Sequence, residues 1–269
     1  MKIAYCISGV VGGLKGKSGE RLAGSSMVLN LSATSTQKHV IDTNPEIDIF
    51  IHTWNDDLVD EMTNYYSPKK IVAEPQKIFE IPKHLPNNSR VQNHYSRWYS
   101  NQRVIELKSC YETENKFTYD LVIVTRFDLW WAVDIDFSVY DPSFFWVPVV
   151  YHNYGGNPVK YGWPNRTNEF YDQIFMSNSS IVDIFYTLYD YLDEYTKPGQ
   201  CESWNNISSH FLSVWHCKKM GILSNIGFGF IGYNHKSFSK DDPYHFTLTR
   251  HLGDLPEHKL LVEGYINDK

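Results

Sequence analysis

Apolar and polar positions along the chain alternate in blocks that read in turn as strands and helices. Residues 2–8 (KIAYCIS) form a short apolar run that stops at Gly9, the pattern of a first strand. Residues 46–54 (EIDIFIHTW) alternate and carry β-branched and aromatic side chains, as a second strand would. Between them, residues 20–39 show a weak helical pattern. Residues 95–114 place Val104, Leu107 and Tyr111 at i, i+3 and i+7, which predicts a helix. Residues 119–125 (YDLVIVT) are apolar almost throughout, as suits a strand covered on both faces. This alternation predicts an α/β fold, a mostly parallel, doubly wound, Rossmann-like sheet with flanking helices.

The second half follows a different rhythm. Residues 144–151 (FFWVPVVY) are strand-like, with Pro148 marking an edge or a bulge. Residues 155–164 (GGNPVKYGWP) read as a loop. Residues 179–195 are the clearest helix, with Ile181, Ile184, Phe185, Leu188, Leu192 and Tyr195 on one face. Ser180 and Asp183 fit a capping box at its start. A further helix over residues 202–220 ends at Gly221, and the tail beyond Gly227 shows no assignable pattern. No linker divides the chain, which reads as a single domain.

Composition narrows the class. Among 269 residues, 42% are hydrophobic and 21% charged, so a sizeable core forms and disorder is excluded. No run reaches the ~18 apolar residues of a membrane span. The first residues lack the apolar core of a signal peptide. A net charge of −6 argues against general nucleic-acid binding. Four cysteines with no C-x-x-C spacing read as reduced thiols in a cytoplasmic setting.

Four segments carry candidate chemistry. The first is Arg126 and Asp128, at the carboxyl end of the apolar strand, where open α/β sheets bind ligands. A carboxylate there can hold Mg²⁺ or Mn²⁺, and a guanidinium can grip phosphate; the alternative is an ordinary strand-end ion pair. The second is the loop from Ser8 and Gly9 to Arg21, whose glycines and cations suit a phosphate. It nearly matches a P-loop, as a kinase or sulfotransferase would have, but Val11 stands where the first glycine is required. The third is His52, Thr53 and Trp54, a strand end that could line a base or ribose pocket or simply pack. The fourth runs from Gly155 through Glu169 to Asp172, aromatics and carboxylates suited to a sugar, with Asp172 first and Glu169 second as general base. His245 and His251 could complete a metal shell.

The ordered set of residues 2–9, Asp48 to Trp54, Tyr119 to Asp128 and Asp172 to Ser177 resembles GT-A-type glycosyltransferases. The likeness is to a group found in bacteria and large DNA viruses, including chlorella viruses. It implies a nucleotide-sugar donor, here a UDP-sugar, a divalent cation and a glycan acceptor. Residues up to about 130 would hold the donor and the remainder the acceptor. It carries Asp128 over as metal ligand, in the place of the family's D-x-D motif; His245, from the reading of the C-terminal segment, would be a further ligand. Arg126 departs from that motif, being a cation. Ser8, Gly9, Arg21, His52, Thr53 and Trp54 would surround the nucleotide, and Asp172 as base would make the transfer inverting. A non-catalytic sugar-binding module is the competing expectation.

Overall fold

The computed structural model describes residues 1–12, 25–154, 157–161, 169–201, 207–232, 244–249 and 252. In chain order these form β1 (Ile3–Gly9), α1 (Ser26–Thr36), β2 (Ile47–Thr53), α2 (Val59–Tyr66), β3 (Lys70–Ala73), α3 (Ser89–Asn115), β4 (Leu121–Arg126) and β5 (Leu129–Trp131). They continue with β6 (Phe145–Tyr154), β7 (Asn157–Tyr161), β8 (Phe175–Ser177), α4 (Ser179–Tyr186), α5 (Leu192–Tyr195), α6 (Ser209–Lys219), β9 (Ile226–Gly232) and β10 (Phe246–Leu248).

The strands lie in the order β3-β2-β1-β4-β8-β6-β9-β10-β5, with β7 beside β6. The expected parallel sheet is present in β3-β2-β1-β4, where all three pairings are parallel. Beyond β4 the sheet is mixed: β8 runs antiparallel to both β4 and β6, and β6-β9 is parallel again. β5 leaves β4 after only two residues, yet it pairs with β10 at the far end of the strand order. The sheet therefore curls back on itself, and residues 127 and 128 are the corner.

Strand alternation explains why both faces are covered. Ala4, Cys6, Phe50, Val122 and Val124 face α3, α4 and α6, with Trp98, Phe185 and Leu212 in that core. Ile3, Tyr5, Ile7, Ile51 and Ile123 face the other way, onto Val28, Leu29, Met62 and Trp131. Runs that are apolar on both faces are the mark of such buried parallel strands.

Several elements differ from the sequence reading. α3 is longer, starting at an Asn88 cap whose side chain accepts from Val91 N, and its buried face runs through Val91, Tyr95, Trp98, Asn101, Ile105 and Lys108. Leu107 and Tyr111 are only half-buried at its margin. The 179–195 helix is broken into α4, a 3-10 turn and α5. There the Ile184 carbonyl accepts from Thr187 Oγ1 and lies 3.3 Å from His216 Nε2, which disrupts the regular ladder. Its cap is Asn178 rather than a Ser180–Asp183 box; Asp183 is turned to Lys108 instead. Residues 157–161, read as loop, pair with β6 as a hairpin. Pro148 sits at a register shift in β6, the bulge its ring demands. The unassigned tail supplies β9 and β10.

Lys108 is fully buried on α3 and touches Glu112 (3.0 Å), Asp183 (2.6 Å) and Ser179 (2.6 Å). Glu112 in turn accepts from Tyr119 N just ahead of β4. Removing the ammonium leaves Glu112 buried and uncompensated. Lys108→Met should therefore cost about 3 kcal/mol in urea unfolding. Adding Glu112→Gln should recover part of that loss; a Lys108→Met protein as stable as wild type would contradict the assignment.

Candidate functional site: a charged cluster at the strand ends

The register of the parallel block places His52, Ser8 and Arg126 side by side across the carboxyl ends of β2, β1 and β4. By alternation all three share the face covered by α3. One turn of that helix presents Arg97, Ser100 and Asn101 to them, spaced i, i+3, i+4. Ser8 Oγ donates to Asn101 Oδ1 at 2.5 Å, and Ser100 Oγ lies 2.7 Å from His52 Nδ1. Polar groups taken out of water need partners, and these two contacts supply them. His52 is fully buried, and that burial lowers its pKa to about 4 despite Glu74, so the ring is neutral at pH 7.

Gly9 holds a φ of +105°, a conformation open to glycine, and it turns the chain sharply at the end of β1. Val11 N then donates to Asn55 Oδ1 at 2.9 Å, tying this loop to the loop after β2. Gly12 lies against the Asp128 carboxylate: a Cβ there would stand 3.6 Å from Oδ2.

Asp128 occupies the corner between β4 and β5. Its carbonyl accepts from Thr249 N at 2.9 Å, which extends the β5-β10 ladder. Its carboxylate is gripped by Arg126, with Nε to Oδ1 and a terminal nitrogen to Oδ2, both 2.7 Å. This is the bidentate fork geometry that guanidinium adopts with carboxylate and phosphate alike.

A second ion group lies beside the first. Arg97 donates to both the carboxylate and the carbonyl of Asp172. His210, on α6, sits 3.3 Å from Asp172 Oδ1 through Nε2 and 3.8 Å from Glu169 Oε2 through Nδ1. Phe170 N donates to the His210 carbonyl at 3.1 Å, which fastens the 169–172 segment to the start of α6. Burial would raise the Asp172 pKa, but Arg97, His210 and Arg126 outweigh it and hold the carboxyl well below its usual range. Burial would lower the His210 pKa, but Asp172 and Glu169 raise it to about 9. Arg97, Arg126 and a charged His210 thus face Asp128, Asp172 and Glu169.

The structure brings together Ser8, Gly9, Arg126, Asp128, Asp172 and Glu169 at one end of the sheet. It corrects three other expectations. His52, Thr53 and Trp54 are buried rather than lining an open nucleotide pocket. Trp54 stacks on Tyr99, with ring centroids 5.5 Å apart, inside the α3 core. Asp172, clamped by two cations, is a poor general base and instead orients Arg97 and His210. His245 pairs opposite Ala132, four positions along the ladder from the Asp128–Thr249 pair. At strand rise that is about 13 Å, too far for a shared metal shell. Arg21 and His251 lie outside the described residues, as do Gly155, Gly156 and most of the loop after β1.

Sequence reasoning missed Arg97, Ser100, Asn101 and His210. The signal was available in part. Asn101 and Lys108 fall on the apolar face of a helix, and polar residues on such a face must meet buried partners.

The divalent cation implied by the GT-A resemblance does not fit the described residues. Both Asp128 oxygens are engaged by Arg126, and His245 is remote. No group of three His, Cys, Asp or Glu among the described residues could hold a metal. No helix there is long and apolar enough to cross a membrane. No protein-family model matches the chain, and no curated protein matches it in sequence.

The sign of the His210 shift gives a test. A folded-state pKa of about 9 against an unfolded value near 6.5 stabilises the fold fully below pH ~6.5. That contribution is lost as pH rises through about 9. The gap in urea midpoint between wild type and His210→Gln should be widest below pH ~6.5 and close above the folded pKa. A gap independent of pH would contradict the Asp172–His210 pairing.

Proposed function

We propose that the protein is a glycosyltransferase that moves a sugar from a nucleotide-diphosphate sugar, a UDP-sugar in the first instance, to a glycan hydroxyl. The observation that carries this reading is the gathering of Arg97, Arg126 and His210 at the carboxyl ends of β1 and β4, beside three carboxylates. Ligands of open α/β sheets bind at that end, and a diphosphate is the ligand such cations suit. The parallel block β3-β2-β1-β4 supports the GT-A-type reading of the first half. The second half folds over the same end, through residues 169–172 and the start of α6, where an acceptor would approach.

The reaction then runs as follows. The acceptor hydroxyl oxygen attacks the anomeric carbon, and the bond from that carbon to the diphosphate oxygen breaks. The electron pair leaves with the nucleoside diphosphate, whose growing charge faces fixed guanidinium groups. The hydroxyl proton passes to Glu169, the more exposed of the two carboxylates on His210. Attack opposite the leaving group inverts the anomeric centre.

The test is release of nucleoside diphosphate from UDP-, GDP- and dTDP-linked sugars, and of CMP from CMP-linked sugars, with ATP as control. One donor family should be turned over, and Glu169→Gln should lower kcat by 10²-fold or more while the donor still binds. Turnover of ATP alone would overturn the reading. Glycan binding with no donor consumed would replace it with a sugar-binding module.

A further inference from the structure

The cation that a D-x-D motif would bring and the arginine that this chain has at Arg126 make opposite demands on Asp128. We propose that the guanidinium groups of Arg126 and Arg97 hold the donor diphosphate in place of a divalent cation, and that Asp128 is the anion the diphosphate displaces. This rests on the reading that the strand-end cluster is the donor site.

The geometry supports each part. Arg126 Nε and a terminal nitrogen reach the two Asp128 oxygens at 2.7 Å each. The same parallel pair of N–H groups fits two oxygens of a phosphate. Asp128 is 5% exposed, so its carboxylate is oriented by the corner rather than by solvent. The corner itself is fixed from behind by the Thr249 N–H on the Asp128 carbonyl. Arg126 side-chain exposure is 23%, so the residue is not sealed from solvent.

Arg97 lies close enough for its charge and that of Arg126 to act on the same carboxylate, Asp172. The two guanidiniums therefore form a pair, each now held by one carboxylate. Arg97 Nε is buried and makes no hydrogen bond, so the grip on Asp172 leaves a donor unused. Gly12 lies against the Asp128 carboxylate, and a Cβ there would stand 3.6 Å from Oδ2, so the backbone at this position approaches the carboxylate closely. A divalent ion at Asp128 would stand next to Arg126 and be repelled; a diphosphate would be attracted by both arginines.

The exchange predicts a diagnostic sign. If Asp128 competes with phosphate for Arg126, removing its charge strengthens anion binding. If Asp128 is a metal ligand, removing its charge abolishes binding. The probes are UDP and inorganic pyrophosphate, titrated calorimetrically into the full chain in EDTA and again in excess Mn²⁺. Wild type should bind in EDTA with a Kd within about threefold of that in Mn²⁺. Asp128→Asn should bind pyrophosphate in EDTA several-fold more tightly, and Arg126→Lys, which lacks the fork, about tenfold more weakly. Thermal unfolding of each variant establishes that it is folded.

Binding that requires Mn²⁺, loss of binding in folded Asp128→Asn, or no binding in either buffer would overturn the inference. Mn²⁺-dependent binding with sugar transfer intact would leave the glycosyltransferase reading standing. Binding in EDTA with no nucleotide sugar consumed would do the reverse.

Discussion

A row of polar side chains crosses the carboxyl ends of three parallel strands, and one turn of α3 lies directly on it. His52, Ser8 and Arg126 come from the sheet; Ser100, Asn101 and Arg97 come from the helix. Hydrogen bonds join the first two pairs, while Arg97 turns to Asp172 beside Arg126. In a buried layer an orphaned polar group costs roughly 1–3 kcal/mol, so the helix has little freedom to slide or roll. The buried Lys108 network pins the same helix about two turns further on. The cluster of charges is thus held by packing that extends well beyond it.

The second constraint is the corner at residues 127 and 128. Phe127 is fully buried against the α1 face of the sheet, so the chain cannot run straight on from β4. β5 then pairs with β10 and curls the sheet around the corner. Asp128 is delivered to the strand ends by that bend. Beside Arg126, two residues away, its neighbours come from three distant parts of the chain: Gly12, Thr249 and, through the shared field, Arg97.

Much of the first half was legible because local signals agreed. The apolar runs at β1, β2 and β4 were long and bounded, and periodicity marked the helix before β4. The short strands were not. β3, β5, β8 and β10 have three or four residues each, too few for periodicity to separate strand from loop. β9 alternates Gly with aromatics, and its glycines make room for Trp146 and Tyr140, a packing role that sequence alone conceals. At the site, Arg126, Asp128 and the 169–172 segment were found by chemistry and position. Their partners were not, because Arg97 and His210 meet Asp172 only through tertiary contacts across 75 and 38 residues. The metal expectation rested on Asp128 alone, which looks like a ligand in the sequence; the fork from Arg126 is visible only in the structure.

The account depends on where a diphosphate sits. The most direct measurement is a crystal structure of the protein with UDP, grown in EDTA. The account predicts the phosphates between Arg97 and Arg126 at the ends of β1 and β4, with the Arg126–Asp128 fork opened. Phosphates lodged elsewhere, or an intact Arg126–Asp128 pair beneath a bound nucleotide, would contradict it.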